Sequence, residues 1–429
     1  MEEKLSGFSA PIGVSYIKSL RSFEDLNSPL QGHYVHIRSD QGKHLEKHLA
    51  ASFYPLYGYG FARSKAYRQT SAPGSVFKLV TSYQVLLERV QKQLYSNPLT
   101  LIDDLKGTHA SKSPKQVLGY HLDGSPILRD YKGGRLPRSS HSGIGKIDLM
   151  GALEQSSNIY FSILAAEYME NPMNLAKAAR AFSYGEKTGI DLPHEAKGNV
   201  PDDLDHNLTG LYSFAIGQHT LDVTPLQTAM MLSMIANKGA LIKPHVLKQM
   251  VGPERILHHE IVSPLSPAMP ESMLSTTTED SEQNILHIPS VEVSRTIPMP
   301  PEVFRNLTEG MRRVVVGQRG TARPGVMRNF YDHPAAVRDY VEIHPNLIAK
   351  TGTAQVRFKT NISKTAEAVI RDNICFAAIA YPKNQRQVYD DPELVVIVSQ
   401  KFRGSGREGG PIAAQVIKKW REIQAKYQQ

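Results

Sequence analysis

A serine and a lysine three residues apart, Ser75 and Lys78, could act together as nucleophile and base. They follow a Pro-Gly turn and open a run of apolar residues at helical spacing, which predicts a buried helix over 75–93. Side chains three apart share one face of a helix, so Lys78 could accept the proton of Ser75. The amine must then be neutral, which burial and a nearby cation favour by lowering its pKa. Taken alone, the pair is equally compatible with a serine that caps the helix and a solvated lysine. A second Ser-x-x-Lys occurs at residues 15–18, but no comparable apolar run follows it.

Two further clusters could meet this pair. Ser156-Ser157-Asn158 lies between two helical patterns, so its side chains could point from a short connection into a cleft, although a capping turn would have the same composition. Lys350-Thr351-Gly352-Thr353 ends a predicted strand, where glycine permits close approach of a ligand and the lysine and threonines can bind a carboxylate. A duplicate Lys-Thr-Gly at 187–189 lies in a turn-rich exit from a helix and is predicted to be structural.

The elements that must position these residues suggest a helical middle followed by late strands. A helix from Thr224 has a capping-box sequence with Pro225 at its first position, and helices are also predicted over 301–317 and 411–426. Strands are predicted over 340–349, 373–381 and 394–399. For the remaining stretches we predict an irregular lead-in over residues 1–60, an exposed loop over 94–146 and an insertion over 251–300. This order indicates an α+β protein.

Composition narrows the class of protein. The 429 residues are 41% hydrophobic and 21% charged, which argues against disorder, collagen and coiled coil. A single cysteine, Cys375, excludes an intrachain disulfide framework and a cysteine-rich metal site. The net charge of +9 favours an anionic neighbour, but no aromatic nucleic-acid signature accompanies it, and His258-His259-Glu260 lacks a third metal ligand at usable spacing. No apolar segment long enough for a membrane span and no signal-peptide layout is present, so we expect a cytosolic chain or an anchor that precedes Met1.

Taken together, Ser-x-x-Lys at 75, Ser-x-Asn at 156 and Lys-Thr-Gly at 350 form, in this order, the motif set of the penicillin-recognising serine enzymes. Over residues 60–425 the chain resembles the transpeptidase domain of the monofunctional, class B penicillin-binding proteins. The stretches that carry the resemblance are Ala72-Pro-Gly-Ser-Val-Phe-Lys78, Ala152-Leu-Glu-Gln-Ser-Ser-Asn-Ile-Tyr-Phe161, Gly185-Glu-Lys-Thr-Gly-Ile-Asp-Leu-Pro193, Ala215-Ile-Gly-Gln218, Thr224-Pro-Leu-Gln227, Gly320-Thr-Ala322 and Ile348-Ala-Lys-Thr-Gly-Thr-Ala-Gln355.

The resemblance implies a five-stranded antiparallel sheet flanked by helices and joined to a mostly helical subdomain at about 94–240. The catalytic domain would span 61–429, with residues 1–60 as the remnant of a pedestal or linker. It implies a peptidoglycan D,D-transpeptidase that needs no cofactor or metal. Its partners would be stem peptides, β-lactams, a polytopic membrane glycosyltransferase and other wall-synthesis proteins. An anchor, absent from this sequence, would fix it in the bacterial cytoplasmic membrane, with the catalytic domain on the periplasmic side.

The resemblance also assigns roles to the residues of the three motifs. Ser75 would be the nucleophile and Lys78 its base, Ser156 would relay a proton to the leaving amine, and Asn158 would orient Lys78 and hold the substrate amide. Lys350 would keep the site electropositive, and the hydroxyls of Thr351 and Thr353, beside Gly352, would bind the terminal carboxylate. The oxyanion would lie between the backbone N–H groups of Ser75 and Thr353.

Other members of this superfamily remain as alternatives. Class A β-lactamases use a Glu-x-x-Leu-Asn element after the second motif to activate water, and this sequence contains no such pentapeptide, which disfavours a hydrolytic lactamase. A D,D-carboxypeptidase, in which water replaces the acceptor amine, stays open. So does a β-lactam-sensing or scaffold domain, which would retain the same motifs without useful turnover.

Overall fold

The computed structural model describes residues 64–94, 99–103, 115–130, 144–192, 194–247, 250–251, 285–287, 290–327, 333–358, 369–382, 389, 391–401 and 404–427. The predicted lead-in, the first Ser-x-x-Lys at 15–18 and the His258-His259-Glu260 cluster lie outside these residues. The helices are α1 Lys78–Gln91, α2 Leu149–Gln155, α3 Asn158–Glu167, α4 Pro172–Ala181, α5 Leu208–Ala215, α6 Pro225–Ala236, α7 Pro301–Val316, α8 Pro334–Ile343 and α9 Gly409–Tyr427. The strands are β1 Leu101–Asp103, β2 Lys115–Tyr120, β3 Pro126–Asp130, β4 Gly145–Ile147, β5 Ala240–Ile242, β6 Met250–Val251, β7 Ile285–His287, β8 Val293–Thr296, β9 Leu347–Phe358, β10 Val369–Ala380 and β11 Leu394–Gln400.

The central sheet is antiparallel and is buried on both faces. Within the described residues it has three strands in the order β11-β10-β9, against the five expected. Side chains of alternate residues of β10 enter two different cores: Cys375, Ala377 and Ile379 face the larger core with the helical lobe. Phe376 and Ala378 face a smaller core with α8 and α9. This double burial explains why the strands read as continuous apolar runs.

The helical lobe packs around α1. Its first turn is preceded by a 3-10 turn, Gly74–Phe77, and α1 contacts α3, α4 and α7. Helix α6 begins with the predicted capping box, in which Thr224 Oγ1 accepts from Gln227 N at 3.1 Å and Gln227 Oε1 accepts from Thr224 N at 2.8 Å. Local capping and the burial of both helices therefore fix this lobe against the sheet.

Two predictions about elements were wrong. The segment 94–146, predicted as an exposed loop, contains the four strands of a small sheet with the order β3-β2-β1-β4. Some of its few apolar residues are buried, among them Leu101 and Ile127, whereas Leu122 and Leu128 are exposed, so the polar composition concealed the short strands. The predicted strand over 340–349 begins only at Leu347, because α8 starts at Pro334 and runs through Tyr340.

The structure also bears on membrane association. None of the helices in the described part of the chain combines the length and the apolar character that a bilayer crossing requires.

Candidate active site

Ser75 is presented by a tight turn at the junction of the sheet and the helical lobe. Gly74 has a φ of +56°, and a Cβ at this position would lie 2.7 Å from Thr353 O, so glycine alone suits both its backbone and its surroundings. Ser75 is half-buried, whereas the following residues Val76 and Phe77 are fully buried and fix the turn. In the described residues no side-chain group hydrogen-bonds to the Ser75 hydroxyl, which leaves it available to a ligand.

Lys78 is fully buried and lies at the centre of the site. Its Nζ donates to Ser156 O and Asn158 Oδ1 at 2.7 Å each, and lies 3.1 Å from Ser156 Oγ. Burial lowers the pKa of Lys78 well below its ordinary value, the charge of Lys350 lowers it further, and Asp103 opposes both. A neutral amine has two hydrogens and one lone pair, so the two carbonyl-type acceptors use both hydrogens and leave the lone pair for a hydroxyl proton.

Ser156 bridges the two buried amines. Lys350 Nζ donates to Ser156 Oγ at 2.8 Å and to Thr351 O at 3.0 Å. Burial lowers the pKa of Lys350 to about 7. Once Lys78 has taken up a proton, its third hydrogen can be donated to Ser156 Oγ, which lies 3.1 Å away and also accepts from Lys350. The hydroxyl proton of Ser156 can then pass on to a leaving group.

The connection between α2 and α3 holds Ser156 in an uncommon conformation. Ser156 is left-handed, with φ 56° and ψ 44°, and its N–H donates to Ala152 O and Leu153 O as the C-cap of α2. Ser157 caps α3 by accepting from Tyr160 N at 3.0 Å. Non-glycine residues with such a backbone concentrate at functional sites, where the surrounding structure holds them.

Strand β9 lies against the Ser75 turn. A Cβ on Gly352 would lie 2.6 Å from Pro73 O, so this residue sets the distance between strand and turn. Thr351 and Thr353 share the other face of β9. Thr351 is largely buried, with its Oγ1 2.8 Å from Thr321 Oγ1. Thr353 is exposed, and its Oγ1 accepts from Gly406 N at 3.2 Å.

The predicted site residues thus meet, with one difference from expectation. Lys78, Ser156, Asn158 and Lys350 form one hydrogen-bonded cluster. The direct hydrogen bond expected between Ser75 and Lys78 is not present in the described residues, and Lys78 contacts the Ser156–Asn158 turn instead. Such bonds are often long before a substrate binds.

Sequence reasoning assigned no role to several residues that contact this cluster. Ser157 Oγ donates to the buried carboxylate of Asp103, and Thr321 and Gly406 contact the two threonines of β9. Thr321 lies within the Gly320–Ala322 stretch already singled out, so its position had a signal in the sequence. The second Lys-Thr-Gly lies in a loop after the turn that follows α4, and Thr188 N and Thr188 Oγ1 donate to Glu195 Oε1 at 2.8 and 2.6 Å.

Comparisons with known proteins agree with this geometry. The model of the family described as penicillin binding protein transpeptidase domain matches residues 38–420. The chain is 35% identical over 138 residues to peptidoglycan D,D-transpeptidase MrdA of Acinetobacter baumannii, covering 30% of this chain and 19% of that protein. It is 25% identical over 341 residues to penicillin-binding protein PbpB of Mycolicibacterium smegmatis, covering 79% of this chain and 40% of that protein. The matches therefore span less than half the length of these relatives.

A solved complex of penicillin-binding protein PBP2 with MreC from Helicobacter pylori has the same fold. Its PBP2 chain matches with a TM-score of 0.52 and 20% sequence identity, covering 88% of this chain and 54% of that chain. This likeness confirms the transpeptidase-like α+β fold, and the relatives confirm the resemblance to class B proteins drawn from the motifs. The chain belongs to the penicillin-binding protein transpeptidase domain family.

Proposed function

We propose that this domain is a peptidoglycan D,D-transpeptidase that works through an acyl-enzyme on Ser75. The observation that carries the proposal is the bridge of Ser156 Oγ between two buried amines, at 3.1 Å from Lys78 and 2.8 Å from Lys350. Among the described residues neither amine forms a direct salt bridge, which is unusual for structural lysines buried together, whereas a base and an electropositive group need this arrangement.

In the acylation step Ser75 Oγ attacks the carbonyl of the penultimate D-Ala. The O–C bond forms as the hydroxyl proton passes to Lys78, and the amide C–N bond breaks as that proton continues through Ser156 to the leaving nitrogen of the terminal D-Ala. Asn158, which accepts a hydrogen bond from Lys78 at 2.7 Å, orients the amine.

The developing oxyanion lies between the backbone N–H groups of Ser75 and Thr353, each worth about 3 kcal/mol in comparable enzymes. The approach of Gly74 to Thr353 supports this assignment, since a Cβ there would lie 2.7 Å from Thr353 O. Lys350 and the exposed hydroxyl of Thr353 bind the terminal carboxylate, and Thr351, largely buried beside Thr321, contributes through its contact with that strand. Gly352 allows the strand to approach.

In the second step an amine of a neighbouring stem peptide attacks the acyl-enzyme. Lys78 accepts its proton and returns one to Ser75 Oγ as the ester bond breaks, which restores the site and leaves the crosslink. A β-lactam, whose strained amide resembles the terminal dipeptide, acylates Ser75 in the same way and stays bound.

The setting of the domain is part of the proposal. A class B protein is anchored in the cytoplasmic membrane and works at its outer face, with a separate polytopic glycosyltransferase as partner. The likeness to PBP2 in complex with MreC supports a place among wall-synthesis proteins. Residues 61–429 are the proposed catalytic domain.

The intact mass after incubation with benzylpenicillin tests the nucleophile. We expect one drug adduct on the wild type and none on Ser75→Ala, whereas Ser15→Ala, in the other Ser-x-x-Lys, keeps the adduct. An adduct that persists in Ser75→Ala would refute the assignment. Incubation with lipid-linked glycan strands then separates the alternatives: crosslinks indicate the transpeptidase, release of D-Ala without crosslinks a carboxypeptidase, and an adduct without turnover a sensor or scaffold.

A further inference from the structure

A buried carboxylate lies directly behind the turn that holds Lys78. Asp103 is the last residue of β1 and is 1% exposed, and Ser157 Oγ donates a hydrogen bond to its Oδ2. A carboxylate in such a position is costly unless it is hydrogen-bonded and balanced by positive charge. Its presence therefore calls for a reason beyond the packing of a three-residue strand.

The hydrogen bond from Ser157 acts on both of its neighbours. Ser157 is fully buried and also caps α3 through Tyr160 N, so its side chain is held on two sides. Ser156 and Asn158, on either side of it, supply all three oxygen atoms that Lys78 Nζ contacts. A movement of Ser157 would carry these oxygens with it, because the turn is only as fixed as its central residue.

The charges around Lys78 give Asp103 a second effect. Lys350 acts on Lys78 from β9 and Asp103 acts from β1, while Ser156 and Asn158 face it with neutral groups and the Phe161 ring centroid lies 5.5 Å from Nζ. Burial and Lys350 lower the pKa of Lys78, and Asp103 raises it. Two amines and one carboxylate in a buried cluster balance when one amine is charged and the other neutral, which is the state that a lysine base beside a cation requires.

We propose that Asp103 is a positioning residue for Lys78, which anchors the Ser156–Asn158 turn through Ser157 and supplies the buried negative charge of the site. This inference rests on the proposed function, since it concerns the base of the same reaction. Asp103 touches neither the substrate nor the reacting atoms and acts through Ser157 and through its charge.

The test is the pH dependence of the second-order rate constant for acylation of Ser75 by a fluorescent penicillin. Asp103→Asn keeps an oxygen that can accept from Ser157 but removes the charge. Without this negative charge the protonated form of Lys78 is less favoured, so its pKa falls and the acid limb of the profile moves to lower pH by about one unit. Ser157→Ala keeps the charge but removes the anchor, and we expect acylation to slow by about ten-fold or more with the acid limb in its wild-type place.

Asp123→Asn is the matched control. Asp123 Oδ1 also accepts a hydrogen bond from a serine, with Ser125 N at 2.8 Å, but it lies in the exposed turn between β2 and β3. We expect its rate and its profile to equal those of the wild type. A wild type that is not acylated on Ser75 would refute the proposed function before any variant is compared.

With an acylated wild type, either of two results would overturn the role of Asp103: an Asp103→Asn profile whose acid limb has not moved, or a Ser157→Ala variant that is acylated at the wild-type rate. A uniform loss of rate at every pH in Asp103→Asn falls under the first result and would indicate a structural role only. If Asp103→Asn shows no cooperative melting transition, Ser157→Ala decides the question alone.

Discussion

Gly352 keeps strand β9 close to the turn that carries Ser75, and replacing it with alanine should force the two apart. A Cβ at this position would lie 2.6 Å from Pro73 O and 3.0 Å from Val76 Cγ2, whereas ordinary van der Waals contact begins at 3.4 Å. The strand must therefore recede by about 0.8 Å at the Pro73 carbonyl, because a backbone oxygen cannot rotate away as a side chain can. Gly352 has no positive φ, so the substitution adds volume without straining its own backbone.

A displacement of this size separates the Thr353 N–H from the Ser75 N–H across the proposed oxyanion site. A misplacement of about 1 Å among reacting groups costs about 100-fold in rate, so we expect Gly352→Ala to be acylated by a fluorescent penicillin about 100-fold more slowly. Overpacking should also lower the free energy of unfolding by about 1–3 kcal/mol, measured by thermal or denaturant unfolding.

Gly325→Ala serves as the matched control, because a Cβ there meets only Arg323 Nε, at 3.9 Å. We expect this variant to be acylated at the wild-type rate. A folded Gly352→Ala variant with a wild-type acylation rate would show that the spacing between β9 and the Ser75 turn does not limit the reaction.

Three further predictions concern charge, stability and thiol chemistry. Burial lowers the pKa of Lys350 to about 7, so Lys350 is charged below this pH and neutral above it, and the second-order acylation rate constant should fall as the pH rises through about 7. Lys350→Arg stays charged and should move this fall to higher pH. A fall that stays at the same pH in Lys350→Arg would show that another group causes it. Glu195→Ala leaves the N–H groups of Thr188 and Gly189 without their acceptor. It should therefore lower the free energy of unfolding, measured by chemical denaturation, by about 1–3 kcal/mol. A loss of acylation in the folded variant would instead show that this second Lys-Thr-Gly belongs to the active site. Burial raises the pKa of the Cys375 thiol to about 12, so iodoacetamide should label it only in denaturant, and rapid labelling of the native protein would contradict its burial.

The sequence was most informative where chemistry and local structure coincide. The helix after Ser75 was predicted over 75–93 and is observed as α1, Lys78–Gln91, preceded by a 3-10 turn. Its apolar spacing and the Pro-Gly turn are local signals, and they survive because the tertiary structure buries the same face. The capping box at Thr224 was predictable for the same reason, since its two hydrogen bonds join residues three apart.

Long-range contacts were beyond such reasoning. Asp103 meets Ser157 only because β1 pairs with β4 and β2, strands that are short and lie in a segment with the composition of a loop. The contact of Thr321 with Thr351 joins a loop to a strand thirty positions away, and no spacing rule predicts it. The site residues themselves could be named because their chemistry restricts the residue types, whereas the residues that hold them are restricted only by the packing of the finished fold.

At position 156 the residue that would be most stable differs from the residue that the reaction needs, because the backbone of Ser156 is left-handed. Glycine suits this conformation best, and a non-glycine residue there is less stable by about 1–2 kcal/mol. Glycine, however, has no side-chain oxygen to join Lys78 to Lys350. A directed-evolution screen that selects only for resistance to heat should therefore recover Ser156→Gly, which lacks the hydroxyl bridge between the two lysines. Selection for a more heat-stable domain must therefore include selection for penicillin labelling in the same round.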